Sequence, residues 1–244
     1  MTSRNALERR LREEAMALGA DYFGLADLSP AQALVREQGE QMMAQFPRAV
    51  SIGVVMPFAI VDLLPRHMDK AVAMAYRSHG YDTLNRRLDE IASRLSSTLQ
   101  REGYRSFPVR ASQVTDEERL YGLFSHKLAA HLAGLGWIGK SCLLVTPEVG
   151  PRVRWASVLT DAPLTAGQPL AERCGECEEC VDACPAHAFT GRNFQPGEPR
   201  EARFDVFKCR EYFDWHEGRM KASACGMCVY VCPYGRKWLS SHLA

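Results

Sequence analysis

Eight of the nine cysteines of this chain fall between Cys174 and Cys232, and none precedes Cys142. Cysteines crowded into one stretch imply cross-links or metal, so this stretch constrains the fold more than any hydrophobic run. Disulfide frameworks belong to small secreted domains. This chain has 244 residues, opens on a charged segment from Met1 to Glu14, and contains no long apolar run; a membrane-crossing helix would need ~20 such residues. We expect a cytoplasmic protein with no membrane association, whose Cys-x-x-Cys spacings bind metal.

The spacing is specific. Cys174, Cys177, Cys180 and Cys184, with Pro185 next, read C-x2-C-x2-C-x3-C-P. Bacterial ferredoxins use this run to give three thiolates to one [4Fe-4S] cluster and the fourth to another. Cys225, Cys228 and Cys232, with Pro233 next, repeat the pattern one cysteine short, and Cys209 makes up the count. Exchange of the odd ligand predicts one cluster on Cys174, Cys177, Cys180 and Cys232, and a second on Cys184, Cys209, Cys225 and Cys228. Four-cysteine zinc sites also use C-x2-C pairs, but a triple run with a trailing Cys-Pro points to clusters. Cys142 opens an apolar stretch and reads as a buried structural thiol.

The rest of the chain alternates helix and strand. Leu7, Leu11, Ala15 and Leu18 mark an amphipathic helix over 5–18, ended by Gly19. A strand over 21–26, a helix over 30–44 and a buried strand over 49–56 follow, then a loop around Leu64 and Pro65. Leu84, Leu88, Ile91, Leu95 and Leu99 share one face of a helix over 81–101. A strand is expected at 106–110, a helix at 125–133, and strands at 142–146 and 153–159. The Pro- and Gly-containing stretch 161–169 reads as a linker. This predicts two domains, 1–165 and 166–244. A net charge of +1 offers none of the bulk positive potential of a protein that grips many phosphates.

Two motifs mislead. Gly134 to Ser141, GLGWIGKS, satisfies both G-x-G-x-x-G and G-x4-G-K-[ST]. Each works as a phosphate cradle only when a strand leads in and a helix leads out. Here a helical SHKLAAHLA precedes and an extended CLLVT follows, so we expect a tight turn or a glycine-lined wall where backbone approaches a large flat cofactor. DWHEG, Asp214 to Gly218, comes within one position of the D-x-H-x-x-G signature of corrinoid proteins, but lies between cluster ligands. His126 and His131 lie on the helix before the glycine turn, and either has the chemistry for proton transfer.

The run LAAHLAGLGWIGK (Leu128 to Lys140), the segment TDAPL (Thr160 to Leu164) and the double cysteine pattern together resemble the epoxyqueuosine reductases and their shorter relatives, and through the cluster domain the reductive dehalogenases. The likeness is specific from Ser125 to Pro233 and looser before Arg110. It implies an α/β (α+β) nitroreductase-like domain of cobalamin-binding type, followed by a small bacterial ferredoxin-like domain with two [4Fe-4S] clusters. In such proteins electrons pass through the clusters to cobalamin held base-off, giving a nucleophilic Co(I). Gly136, Trp137, Gly139 and Lys140 are then expected to line the corrin face, and Arg154 to meet a carboxamide or phosphate edge. Asp116 and His126 become candidate proton donors. A flavin is the lesser alternative cofactor.

Two departures concern the substrate. Epoxyqueuosine reductases carry an Asp-Ser-Ala-Pro segment before the GLGW glycine, whose aspartate resembles a proton donor; here that alignment lands on Leu120, and Asp116, Glu117 and Glu118 read more simply as a solvated acidic turn. The full-length enzymes also continue into a helical-repeat region that helps to hold tRNA, whereas this sequence ends at Ala244. The expectation is therefore an oxidoreductase, a cobalamin-dependent reductase of an unnamed small molecule rather than of tRNA, fed by a donor such as a ferredoxin or flavodoxin. The alternative is an electron-transfer protein that passes low-potential electrons to a partner protein.

Overall fold

Apolar residues at helical spacing account for the longest elements of the computed structural model, which describes residues 3–236. Helix α1 (Ser3–Ala17) buries Leu7, Leu11 and Ala15. Strand β1 (Tyr22–Asp27), helix α2 (Gln32–Ala44) and strand β2 (Arg48–Val55) follow. The loop expected around Leu64 and Pro65 is a short 3-10 turn (Leu64–Arg66), flanked by short helices α3 (Phe58–Val61) and α4 (Lys70–Ala75) and a π-helical turn (Tyr76–Thr83) that the sequence reading did not foresee. None is long enough for its periodicity to stand out from sequence. Helix α5 (Leu84–Arg101) buries all five residues of its apolar stripe.

Strand β3 (Ser106–Val109) and helix α6 (His126–Leu132) precede a small hairpin of β4 (Trp137–Ile138) and β5 (Leu144–Val145), and strand β6 (Val153–Thr160) comes next. The cysteine-bearing segment holds helices α7 (Glu179–Asp182), α8 (Val206–Met220) and α9 (Met227–Tyr230). The fold is mixed α/β. Among the described residues no helix is long and apolar enough to cross a membrane.

The chain divides into two compact units that interleave along the sequence. One takes the described residues up to Val54, then Asn85–Leu135 and Arg154–Leu170; the other takes Val55–Leu84, Gly136–Val153 and the described residues from Ala171 on. The expected boundary at 165/166 thus follows chain order rather than compactness: residues 55–84 and 136–153 pack with the cysteines.

The first unit is built on a four-stranded sheet in the order β1-β2-β6-β3, antiparallel between β1 and β2 and between β3 and β6. Ala26, Leu28, Val35, Met43, Phe46, Val109, Phe124, Ala129 and Leu159 form a common core in it. Helix α6 opens at Ser125, whose hydroxyl accepts the Leu128 N–H. It closes at Gly134, whose φ of +76° lets its N–H reach the His131 carbonyl while the Leu135 N–H reaches Ala130. The first glycine of GLGWIGK is therefore a helix stop, and the phosphate-loop context of strand, loop and helix is absent from this stretch.

Candidate metal centres

The second unit positions eight thiols through short helices and left-handed turns. Gly175, at φ +52° with open space around it, turns the chain between Cys174 and Cys177, and the Cys177 N–H returns to the Cys174 carbonyl at 3.0 Å. Helix α7 carries Cys180 and delivers Cys184. Helix α8 carries Cys209 and is capped by the Asp205 carboxylate, which accepts from Phe207 and Lys208 N–H at 3.1 Å each. Helix α9 starts at Gly226, φ +71°, where a Cβ would lie 2.7 Å from Leu64 Cδ1; it carries Cys228, with Cys225 just before and Cys232 just after.

These elements bring the thiols into two groups. Cys180 feels Cys174, Cys232 and Cys177, and Cys232 feels Cys174 and Cys177. Cys209 feels Cys225 and Cys184, while Cys228 feels Cys225, Cys209 and Cys184, with a last, weaker coupling to Cys180. The grouping is the one that ligand exchange calls for, with Cys232 and Cys184 each crossing to the other motif. Among the described residues no group of three or more Cys, His, Asp or Glu side chains is arranged to hold a single metal ion.

Burial, then mutual repulsion, pushes Cys180 and Cys209 up to about 12 and, with backbone N–H groups opposing, Cys225 and Cys232 up to about 11. Without metal these thiols are protonated, so cluster loading must release protons. The chain already supplies donors for the charged sulfurs. Backbone N–H groups act on Cys174 from Lys140, on Cys225 from Met227, and on Cys232 from Tyr234 and Gly235. Ala188 N–H lies 3.4 Å from Cys184 Sγ. Hydrogen bonds of this kind raise cluster potentials and shield the sulfurs. The residues present fit two clusters.

The residues expected on a corrin face have other neighbours. A Cβ on Gly136 would lie 2.3 Å from the Val145 carbonyl oxygen, and one on Gly139 would meet Val145 at 2.9 Å and Cys174 Sγ at 3.3 Å. Both glycines let the β4–β5 hairpin close on itself and on the first thiol group. Trp137 is 1% exposed, edge-on to Tyr234 at 4.7 Å, and its indole N–H acts on the Cys174 sulfur without a well-formed hydrogen bond. Lys140 is buried with its Nζ 3.6 Å from Glu178. Trp137, Gly139 and Lys140 thus lie beside the first thiol group, and Gly136 lies against the Val145 carbonyl within the hairpin. Arg154, in the first unit, donates to Asn85 Oδ1 at 3.0 and 3.2 Å.

The two candidate proton donors also hold structural duties, both in the first unit. The Asp116 carboxylate accepts the Arg119 N–H at 2.9 Å and closes the turn that pairs Asp116 with Tyr121, the acidic-turn reading. His126 edges a cavity of about 240 Å³ lined also by Arg110, Gln113, Leu120 and Phe124. Its Nε2–H donates to the Arg110 carbonyl at 2.8 Å and its Nδ1 accepts from the Ser157 hydroxyl at 3.0 Å. It keeps some solvent contact, yet burial first, and then the Arg154 charge, pushes its pKa down to about 4 against opposing pulls from the Arg110 carbonyl and Asp89.

An unfolded imidazole takes its proton near pH 6.5 and the folded one only near 4, so acid favours unfolding through that window. The stability margin of wild type over His126→Gln is expected to be full above about pH 6.5 and to shrink by at most ~3 kcal/mol as pH falls to about 4. Denaturant unfolding of both proteins across that range measures it.

His67 and Tyr212 escaped the sequence reading, and His216 was set aside with the DWHEG motif; in the second unit the three are joined by hydrogen bonds described below. Asp205 as an N-cap, with Cys209, Tyr212 and His216 at helical spacing behind it, was the available signal.

Residues 173–235 match the family described as the 4Fe-4S double cluster binding domain. With its two thiol groups, that segment is thereby of the class of double-cluster iron–sulfur domains. The chain is similar to the epoxyqueuosine reductases: that of Bacillus anthracis is 31% identical over 122 residues, 46% of this chain and 30% of the relative. The matched stretch thus spans about a third of such relatives' length. Two solved structures share the fold. A reductive dehalogenase whose title names B12-dependent dehalogenation superposes with a TM-score of 0.66 at 22% identity, over 93% of this chain and 31% of that one. An epoxyqueuosine reductase with a tRNA-Tyr epoxyqueuosine-modified stem loop gives 0.60 at 21%, over 96% and 66%.

Proposed function

We propose that this protein is an iron–sulfur reductase in which two [4Fe-4S] clusters serve a cobalamin. The observation that carries the reading is the division of eight thiols into two fours across two sequence motifs. Cys174, Cys177, Cys180 and Cys232 hold one cluster, and Cys184, Cys209, Cys225 and Cys228 the other. Crossed ligands keep two such centres near each other, so that electrons entering at one, from a ferredoxin- or flavodoxin-type donor, can reach its neighbour.

Cobalamin is supported by the fold shared with a dehalogenase titled as B12-dependent and by the similarity to epoxyqueuosine reductases. When bound, it supplies a cobalt centre that can be reduced to a strong nucleophile. Gly136, Trp137, Gly139 and Lys140, beside the first thiol group, would then line the corrin face. On this reading residues 1–165 carry the nitroreductase-like part, 166–244 the ferredoxin-like part, and the protein works in the cytoplasm. The substrate stays open between a small molecule and, given the relative bound to a stem loop, tRNA.

The test is anaerobic purification, reconstitution with iron and sulfide, addition of cobalamin or flavin, desalting, and optical and EPR spectra. About eight irons per chain with one retained base-off cobalamin are expected. Eight irons with neither cofactor retained would overturn the reductase and favour an electron carrier. Retained flavin would replace the cobalamin. Turnover of an epoxyqueuosine-modified stem loop would assign tRNA as the substrate.

A further inference from the structure

Helix α8 places Cys209, Tyr212 and His216 at i, i+3 and i+7, so one face runs from a thiol of the second group to an imidazole. His216 has no exposed surface. Its Nδ1 lies 2.9 Å from the Ala222 carbonyl oxygen and its Nε2 lies 2.9 Å from the His67 carbonyl oxygen. Carbonyl oxygens only accept. A neutral imidazole has one N–H and one lone pair, so it can satisfy one of these contacts and must set lone pair against lone pair at the other. Only the doubly protonated ring donates to both.

The surroundings allow a single positive charge. His67 stacks on His216, with ring centroids 5.7 Å apart and planes 21° from parallel. Its Nδ1–H donates to the Leu64 carbonyl at 3.0 Å and its Nε2 accepts from the Tyr212 hydroxyl at 2.7 Å. Burial first, and the charge on His216 after it, hold His67 below the usual imidazole range against the Leu64 hydrogen bond. Burial, then Cys225 and Cys184, keep the Tyr212 phenol protonated. Tyr212 therefore neighbours both the His216 ring, 6.2 Å from its own, and the second group of thiols. Among the described residues no carboxylate pairs with His216.

We propose that His216 is a buried cation that raises the reduction potential of the cluster on Cys184, Cys209, Cys225 and Cys228. The inference rests on the reading that those thiols hold a cluster. In the step concerned, one electron leaves a reduced one-electron carrier protein, which is oxidised, and enters the cluster. No bond forms or breaks and no proton moves. The cluster becomes one charge more negative, and a fixed cation at its flank favours that state. His216 is a positioning residue that acts through the field, and α8 ties its place to that of the Cys209 ligand.

The experiment is a potentiometric titration followed by EPR on the reconstituted full chain, comparing wild type with His216→Gln and His216→Lys. Removing one charge in a medium of effective dielectric near 20 is expected to lower the reduced-to-oxidised ratio of the second cluster roughly tenfold at fixed applied potential, which is 59 mV for a one-electron couple. The first cluster stays close to its wild-type potential, and lysine, which keeps the charge and the donors, restores most of the shift. Eight irons in His216→Gln with both potentials unmoved overturn the inference and leave the cluster reading standing. About four irons in wild type overturn both.

Where His216→Gln fails to load its second cluster, nitrogen-15 histidine NMR of the oxidised wild type gives the answer. Two protonated nitrogens on His216 at about pH 7 support the inference. A single N–H overturns it.

Discussion

Cys232→Ala is expected to remove the cluster of Cys174, Cys177 and Cys180, although Cys232 sits in the other motif, beside Cys225 and Cys228. Iron should fall from about eight to about four per chain. Cys232 is held with Cys174 and Cys177 by the turn after α9, and the Tyr234 and Gly235 N–H groups already serve its sulfur. Double variants read the crossing. Cys174→Ala with Cys232→Ala removes two ligands of one cluster and should still retain about four irons, whereas Cys225→Ala with Cys232→Ala damages both clusters and should retain almost none. An uncrossed arrangement would give the reverse pair of results.

Trp137→Ala is expected to cost about 3–5 kcal/mol, the range for emptying a buried tryptophan site. Its ring is edge-on to Tyr234 at 4.7 Å, a further aromatic gain, and the Arg173 guanidinium lies 5.6 Å from the ring centre. Both partners flank cluster ligands, so the loss should appear twice. The denaturant midpoint of the loaded protein should fall, and a chelator should strip iron faster, from the first cluster before the second. Trp137→Phe should keep most of the edge contact and lie between. If Trp137 served chiefly a cofactor outside the cluster unit, both readouts would stay near wild type.

The parts of this protein that were legible from sequence share one property: their constraints are local. A thiolate run such as C-x2-C-x2-C-x3-C-P is dictated by how a short loop wraps a cubane, so it can be read without knowing anything else about the fold. The stripe Leu84, Leu88, Ile91, Leu95 and Leu99 lies on one face of α5 because the helical repeat puts it there, and all five are buried. The mismatch of GLGWIGKS with a phosphate loop was equally local, since helix before and hairpin after can be judged from neighbouring residues. These features also carry the likeness to epoxyqueuosine reductases.

The remainder depended on distant residues. Gly136, Trp137, Gly139 and Lys140 read as a cofactor face because small and aromatic residues often line one, but which way a glycine's missing side chain points is decided by the β4–β5 hairpin and by Cys174. The loop expected around Leu64 and Pro65 proved to lie in a stretch, residues 55–84, that belongs to the cysteine-bearing unit. His126 reads from sequence as a candidate proton donor, and only the fold shows that Arg110 and Ser157 meet its two nitrogens. His216, set aside within DWHEG, became notable only when the carbonyls of Ala222 and His67 met both sides of its ring. Sequence by itself determined the cluster chemistry, the main helices and the mixed α/β class, because ligand spacing and periodicity are encoded within a few turns of chain. Only the tertiary structure decided which thiols meet, which polar groups are protonated and which faces are closed, because those depend on burial and on hydrogen-bond partners brought from far along the chain.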